Sequence, residues 1–272
     1  MVRIGVIKTG NIASSLILEL LLDERADRKD IEVRVAASGA KMSPEDCESI
    51  VERILEFKPE LILYSTPNPS APGPSKVIEK LKSKRAIVIG DAPGIKIKEV
   101  LEKAGLGYIF IRADSMIGAR REFLDSTEMA IFNAEMLKIL AVTGAFRVLQ
   151  EEIDKTIDGI KTKKEYLPRI IVDSNTAVRR SGIKNPYAMV KGLAAYEIAE
   201  KVGELNIKGC FAVKEKEKYI PLVASAHEML RTASMLADEI REIEKGSGEV
   251  LRTPHSPEGK ILKKSRLMEK PK

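Results

Sequence analysis

The chain has 272 residues, of which 44% are hydrophobic and 32% are charged. This composition supports a large buried core and excludes a disordered chain. Two cysteines and two histidines exclude a disulfide framework and a multi-histidine metal centre. The chain contains no run of about 20 apolar residues, so we predict neither a membrane span nor a signal peptide. We therefore expect a cytoplasmic protein with no metal and no membrane partner.

The charge distribution argues against a nucleic-acid-binding surface. The net charge is +6, but residues 260–272 carry six basic side chains against one acidic side chain. Duplex-binding domains cluster basic residues on a structured face, and stacking platforms need aromatic residues, which make up only 4% here. We expect the basic tail to be a solvated terminus and the protein to bind no nucleic acid.

The first 112 residues alternate short β-branched runs with longer helical segments. This pattern is typical of a parallel sheet covered on both faces. It predicts an α/β, doubly wound domain over residues 1–112 with about five strands, at Val2–Ile7, Ile31–Ala36, Leu61–Tyr64, Ala86–Ile89 and Tyr108–Ile111.

Residues 113–245 are predicted to form a helical bundle. The periodicity indicates helices at 116–124, 126–142, 145–160, 186–204 and 222–245. Asp125 with Glu128, and Asn185 before Pro186, have the spacing of helix caps. Small residues along 186–204 predict burial against other helices or another subunit. Residues 246–272 are expected to form a small β segment, with a hairpin between Val250–Leu251 and Ile261–Leu262, followed by the basic tail.

Ligands of open parallel sheets bind beyond the carboxyl ends of the strands. Five loops marked by glycine or proline lie at those ends. They are Lys8–Asn11, Ser38–Lys41, Thr66–Pro74, Asp91–Gly94 and Arg112–Ser115. The proline-rich third loop is either a rigid connector or a preorganised ligand wall. The convergence of five such loops favours a binding site.

The first of these loops disfavours a nicotinamide dinucleotide. Gly10 is its only glycine, so the GxGxxG fingerprint is missing, and the chain has no P-loop motif either. The hydroxyl and backbone N–H groups from Thr9 to Asn11 could instead hold a polar ring or an anion.

Other candidate residues are less specific. His227 has no partner histidine at helical spacing, and we interpret it as a packed or surface residue rather than a catalytic one. Cys210 lies in an apolar, strand-like piece and is expected to be a buried thiol. The pair Arg120 and Arg121 either binds a carboxylate or phosphate, or forms salt bridges with neighbours such as Glu122 and Asp125.

The motifs of the chain, taken together, resemble the coenzyme F420-dependent methylenetetrahydromethanopterin dehydrogenases of methanogenic and related archaea. The resemblance is carried, in order, by IKTGNI (7–12), LLDERADR (21–28), SGAKM (38–42), TPNPSAPGP (66–74), IGDAPGIKIK (89–98), MIGARREFLD (116–125), AVTGAF (141–146), NPYAMVKGLAAYEIAE (185–200), GCF (209–211), IPLVASAHEML (220–230) and RTPHSPEGK (252–260). Thr9 and Ser115 depart from the family pattern, which has cysteine at the first position and proline or alanine at the second.

The resemblance implies an oxidoreductase of methanogenesis that moves a hydride reversibly between methylenetetrahydromethanopterin and the deazaflavin F420, a co-substrate. It implies a homo-oligomer with sites near subunit interfaces. The F420-binding residues expected from motif position are Lys8, Thr9, Gly10, Asn11, Ile12, Thr66, Pro67, Asn68, Asp91, Pro93 and Gly94. Those expected at the pterin are Asp114, Met116, Arg120, Arg121 and Glu128. Asp91 and Glu128 are the candidates for electrostatic stabilisation of the cationic methenyl product.

Two alternatives stay open at this point. One is a pterin dehydrogenase that uses NADP. The other is a non-enzymatic sensor or nucleic-acid-binding protein on an α/β scaffold, for which the basic tail would supply the binding surface.

Overall fold

The computed structural model describes residues 1–272 and contains one sheet of six parallel strands in the order β2-β1-β3-β4-β5-β6. The strands are β1 (Val2–Lys8), β2 (Ile31–Ala37), β3 (Leu61–Thr66), β4 (Ala86–Gly90), β5 (Gly107–Ile111) and β6 (Arg169–Val172). This confirms the predicted α/β, doubly wound class. The strand order reverses between β1 and β3, which makes the carboxyl ends of these two strands the topological switch point.

The sixth strand was not predicted from the sequence. β6 pairs in parallel with β5, from Tyr108 opposite Arg169 to Ile111 opposite Val172. It has only four residues, and Arg169 at its start is exposed. Such a short edge strand gives almost no periodic signal, and it lies inside the region predicted to be helical.

Nine α-helices flank the sheet. They are α1 (Ala13–Leu22), α2 (Pro44–Glu56), α3 (Pro72–Leu81), α4 (Lys98–Lys103), α5 (Ser126–Thr143), α6 (Ala145–Lys161), α7 (Ser174–Ser181), α8 (Pro186–Ile207) and α9 (Lys216–Gly246). The predicted helix caps are confirmed. Asp125 accepts the backbone N–H of Glu128 at 2.8 Å, and Asn185 accepts those of Tyr187 and Ala188 at the start of α8.

Alternation along the buried strands creates two apolar cores, one on each face of the sheet. Val6 and Leu63 point into a core of 34 residues that also contains side chains of α1, α5, α6, α8 and α9. Ile7 and Tyr64 point into a second core of 16 residues beneath α2, α3 and α4. The larger core therefore joins the strands of residues 1–112 to the helices that follow them. The division of the chain at residues 112 and 245 stays a prediction.

The predicted helix at 116–124 is wrong. These residues form an irregular loop between β5 and α5. Its backbone makes only isolated turn hydrogen bonds, such as that from the Leu124 N–H to the Arg120 carbonyl at 2.7 Å, and is otherwise held by side chains from elsewhere in the chain. The amide of Asn206 donates to the Met116 carbonyl at 3.0 Å, and Gly118 lies so close to Val223 that no side chain would fit. Tertiary contacts override a weak local preference here.

Three further differences concern the bundle. Cys210 lies in a π-helical turn, Lys208–Ala212, and not in a strand-like piece. Helix α9 begins at Lys216, six residues before its predicted start, and contains Pro221. Pro221 is the sixth residue of this helix, so the hydrogen bond from its backbone nitrogen to the carbonyl of Glu217 is lost, while the helix continues beyond it. Helix α7 was not predicted.

The turn between α5 and α6 depends on Gly144. Its φ is +100°, and a Cβ at this position would lie 2.3 Å from the carbonyl oxygen of Ala177. The two helices meet there at an angle of 69°. No single helix of the chain has the length and apolar content needed to cross a membrane, although α5 and α6 reach both when taken together.

The C-terminal segment folds back on itself without regular strands. Two isolated antiparallel bridges, Arg252 with Lys264 and His255 with Ile261, stand where a hairpin was predicted. His255 is fully buried beneath the segment, and its ring nitrogens lie 2.7 Å from carboxylate oxygens of Glu24 and Asp154. This contact ties the segment to α6 and to the chain just after α1.

Candidate functional site at the carboxyl ends of the strands

The loops after β1 and β3 pack against each other at the switch point. The hydroxyl of Thr9 lies 2.8 Å from that of Tyr64, and both residues are fully buried. Gly10 has a φ of +74°, and a Cβ at this position would lie 2.8 Å from Pro67. Glycine is thus required for the two loops to touch. Thr9, Gly10 and Pro67 shape the floor of this region instead of presenting side chains to solvent.

The start of α1 is fixed from β5. Asp114 is fully buried, and its carboxylate accepts the backbone N–H groups of Ala13 at 2.8 Å and Ser14 at 3.1 Å. Burial is the main cause that raises the pKa of Asp114 to about 6. Ile12, immediately before the helix, is also buried. This carboxylate is engaged by the protein, so the geometry gives Asp114 a positioning role.

The loop after β4 carries the second buried carboxyl group. Asp91 is 3% exposed, and its side chain accepts the backbone N–H of Ala92 at the start of a 3₁₀ segment, Ala92–Ile97. Burial, together with repulsion from Asp114 and Glu200, holds the pKa of Asp91 well above its usual range. A buried pair of carboxyl groups with raised pKa values is typical of a functional site.

The remaining residues of this loop and of the loop after β3 have simpler environments. Gly94 is buried against the ring of Phe110, while Pro93 beside it is half-buried. Asn68 is half-buried, and its side-chain oxygen accepts the backbone N–H and the hydroxyl of Ser70.

Unpartnered hydroxyl groups gather around this edge. Of six buried side-chain polar atoms that lack a hydrogen-bond partner, three are the hydroxyls of Ser14, Ser65 and Thr66. Ser65 and Thr66 end β3, and Ser14 lies in the first turn of α1. A buried hydroxyl without a partner is costly, so this edge offers donors and acceptors that a polar ring system could satisfy.

The candidate cations differ in their availability. Lys8 is 12% exposed and forms a 2.7 Å ion pair with Glu19. The guanidinium of Arg120 donates to the carbonyls of Gly209 and Val213. It also stacks on Tyr219, with 4.0 Å from its carbon to the ring centre. Arg121 is exposed and forms neither an ion pair nor a hydrogen bond. Of these three cations, Arg121 is the one free to meet an anionic ligand.

Glu128 has an unforeseen partner. It lies in the first turn of α5, and its Oε1 atom is 2.8 Å from Nδ1 of His227 on α9. The histidine side chain is 6% exposed and the glutamate side chain 32%. Met116 lies half-buried in the loop that precedes α5.

The site thus brings most of the predicted residues to one edge of the sheet. Reasoning from the sequence missed Tyr64 and Asn133, whose amide oxygen accepts from Asn11 at 3.4 Å, and it treated His227 as a packed or surface residue without identifying its partner. Tyr64 was predicted only as a strand residue, and Asn133 and His227 lie on helices far along the chain from their partners. Their spacing therefore carries no local signal.

A large open pocket lies away from these residues. It has a volume of about 840 Å³ and runs along α6 between α7 and the C-terminal segment. None of the predicted site residues lines it. No group of three or more His, Cys, Asp or Glu side chains is placed to hold a metal ion.

Comparisons with known proteins agree over the whole chain. The family model described as methylene-5,6,7,8-tetrahydromethanopterin dehydrogenase matches residues 2–272. Two relatives are named F420-dependent methylenetetrahydromethanopterin dehydrogenase. The one from Methanocaldococcus jannaschii is 56% identical and the one from Archaeoglobus fulgidus 55%, each with 99% of both chains covered.

A solved structure is also similar over the whole chain. It is described as an F420-dependent methylene-tetrahydromethanopterin dehydrogenase in complex with methylene-tetrahydromethanopterin and coenzyme F420. It superimposes on this chain with a TM-score of 0.97 at 50% sequence identity, and both chains are covered completely.

Proposed function

Because the chain belongs to the methylene-5,6,7,8-tetrahydromethanopterin dehydrogenase family, we infer that it catalyses reversible hydride transfer between methylenetetrahydromethanopterin and coenzyme F420. The observation that carries this function is the 50% identical structure, of the same fold, whose description names both of these ligands. Neither an NADP-linked reaction nor a non-enzymatic role is favoured. The missing GxGxxG motif agrees with a co-substrate that is not a dinucleotide.

The chemistry is supplied by the two substrates, since the pterin gives up a hydride at its methylene carbon and the deazaflavin takes the electron pair. The protein must hold the reacting carbons about 3–3.5 Å apart and keep water out. The rigid contacts between the loops after β1, β3 and β5 suit that task, because they fix the walls of the site before any ligand enters.

We propose that the deazaflavin binds over the loops after β1, β3 and β4. Thr9, Gly10, Ile12, Pro67 and Gly94 would act through backbone and shape, because their side chains are buried or absent. Polar contacts would come from Lys8, Asn11, Thr66, Asn68, Asp91 and the backbone around Pro93. The unpartnered hydroxyl of Thr66 supports this placement.

We place the pterin beside the loop that joins β5 to α5. Met116 would contact the ring system, Arg121 would pair with the anionic tail, and Arg120 and Asp114 would hold the loop and helix α1 in place. This division of roles follows from the geometry, since the polar atoms of Arg120 and Asp114 are engaged within the protein.

The methenyl product is a cation, which favours a carboxylate near the pterin. Burial favours the neutral form of Asp91, whose pKa is raised, and a neutral carboxyl group cannot balance a positive charge. Glu128 is partly exposed and accepts a hydrogen bond. We therefore propose Glu128 as the group that stabilises the cation.

We further propose that the protein is a homo-oligomer with its sites near subunit interfaces. Apolar side chains on the bundle are strongly exposed, among them Tyr187 at 80% and Val190 at 63% on α8, and Phe211 at 61%. Exposed apolar side chains at neighbouring helix positions indicate an interaction surface. A second copy of the chain is the partner that we expect to cover them.

The function is tested by following F420 reduction in the presence of methylenetetrahydromethanopterin. The purified protein should reduce F420 and not NAD or NADP. With substrate deuterated at the methylene carbon, deuterium should appear on the deazaflavin. Its appearance in the solvent, or comparable rates with a nicotinamide coenzyme, would contradict direct hydride transfer to F420.

A further inference from the structure

We propose that His227 is a positioning residue, which fixes the Glu128 carboxylate in the orientation that hydride transfer requires. This inference rests on the proposed role of Glu128. It assigns a function in the reaction to a side chain on α9, 99 residues further along the chain.

The imidazole ring is held from three sides. Its Nδ1 atom lies 2.8 Å from Oε1 of Glu128. Phe123 meets it edge to face, with ring centres 4.8 Å apart, and Phe132 packs at 4.7 Å. With the side chain only 6% exposed, the ring has no room to turn, so the direction of the Nδ1 bond is set by packing.

The environment of the imidazole ring also determines its protonation state. Burial lowers the pKa of His227, although the neighbouring carboxylates of Glu128 and Glu228 oppose this shift. Burial thus favours the neutral ring, which carries one proton. Because Nδ1 faces a carboxylate oxygen, the proton belongs on Nδ1, and Nδ1–H donates to Glu128.

The second ring nitrogen of His227, Nε2, shows that burying an imidazole here costs stability. Nε2 is buried and has no hydrogen-bond partner. It lies against Gly118, where a Cβ would be 3.3 Å away. An apolar side chain in this aromatic pocket would avoid an orphaned acceptor. The contribution that an imidazole makes here, and an apolar residue would not, is the Nδ1–H donor.

The consequence is a carboxylate with one oxygen fixed and one free. Oε1 of Glu128 is taken by His227, while Oε2 has no partner within the protein and a third of the side chain is exposed. The first two turns of α5 lie next to the loop after β1 through the contact between Asn133 and Asn11. A fixed carboxylate acts on a developing charge without first having to reorient.

The test compares two substitutions that remove the same ring. In H227N the side-chain amide nitrogen stands close to where Nδ1 was and can still donate, whereas H227L cannot donate. Both lose the packing against Phe123 and Phe132, so both should lower the melting temperature. In single turnovers, H227L should slow hydride transfer by about ten- to a hundredfold. In the steady state, its KM for F420 should be nearly unchanged. H227N should stay within about threefold of wild type.

The variant E128Q separates this inference from the role on which it rests. If E128Q transfers hydride at the wild-type rate, the role of Glu128 is wrong and the positioning role falls with it. If E128Q is slow while H227L is not, only the positioning role is wrong. If H227N is as slow as H227L, ring packing and not the donor matters, which overturns the inference. In the double variant H227L/E128Q the two losses should not add.

Discussion

The carboxylate of Asp114, in the loop after β5, accepts the backbone N–H of Ala13 at 2.8 Å, so a side chain that follows one strand caps the helix that follows another. The contact crosses the sheet from β5 to the switch point beside β1. It holds the first turn of α1, where the loop with the missing dinucleotide fingerprint ends.

The burial of Asp114 predicts a pH dependence of stability, because burial raises its pKa more than the hydrogen bonds from Ala13 and Ser14 lower it. Because the pKa of Asp114 is raised from 3.8 to about 6, the folded state binds a proton more tightly than the unfolded state. The stability that the folded state gains by binding this proton is present below pH 4 and is lost as the pH rises through 6. In D114N the amide oxygen still accepts a hydrogen bond, and this dependence should disappear. Between pH 4 and 7 the wild type should lose on the order of 1–3 kcal/mol relative to D114N in urea unfolding. Parallel pH curves would contradict the assignment.

His255 predicts a second effect of pH. Burial disfavours its charged form, but the hydrogen bonds to Asp154 and Glu24 outweigh burial and raise its pKa. The stability contributed by this contact should be complete below pH 6.5 and be lost as the pH rises through the folded-state pKa. H255Q should therefore destabilise the protein more at pH 6 than at pH 9 in urea unfolding. H227Q is the matched control, because the pKa of His227 is lowered and its pH dependence should have the opposite sign.

The packing of α8 predicts that the same enlargement costs far more stability at a buried position than at a nearby exposed one. Gly192 is buried, and a Cβ there would lie 3.3 Å from Val178 on α7 and 3.7 Å from Ile240 on α9. G192L should overpack this contact and cost about 1–3 kcal/mol. Ala194 is exposed on the same helix in the single chain, so A194L should change the unfolding free energy of the monomer by less than about 0.5 kcal/mol. Equal losses in the two variants would mean that the helix packs differently.

The two adjacent arginines should separate binding from stability. R121A should raise the KM for one substrate several-fold with little change in kcat, because an exposed free cation provides uniform binding to an anionic tail. R120A should lower the melting temperature, since it removes two hydrogen bonds to carbonyls near the π-helical turn and the stacking on Tyr219. Steady-state kinetics and thermal unfolding of both variants test this, and an R120A protein of wild-type stability would contradict it.

The sequence predicted the sheet far better than the site. Five strands and their carboxyl-end loops follow from local periodicity, because a parallel strand buried on both faces is apolar along its length. The positions of the motifs predicted Glu128 and Arg120 as site residues. They could not show that Glu128 pairs with His227, or that Arg120 donates a hydrogen bond to the backbone carbonyl of Gly209. Those contacts join residues about 90 to 100 positions apart, and only the packing of α5, α8 and α9 brings them together.

Strand β6 has a consequence for how the chain folds. It reaches β5 only after residues 112–168 have been laid down as a loop and the two helices α5 and α6. The pairing of β5 with β6 is the longest sequence-separated step in building the sheet, and such steps are slow because loop-closure entropy is lost before the contact is made. During synthesis, therefore, one edge of β5 stays unpaired until β6 is made, and its free backbone groups can pair with strands of other chains. The short β6 closes that edge last, so we expect the yield of soluble protein to depend on this strand.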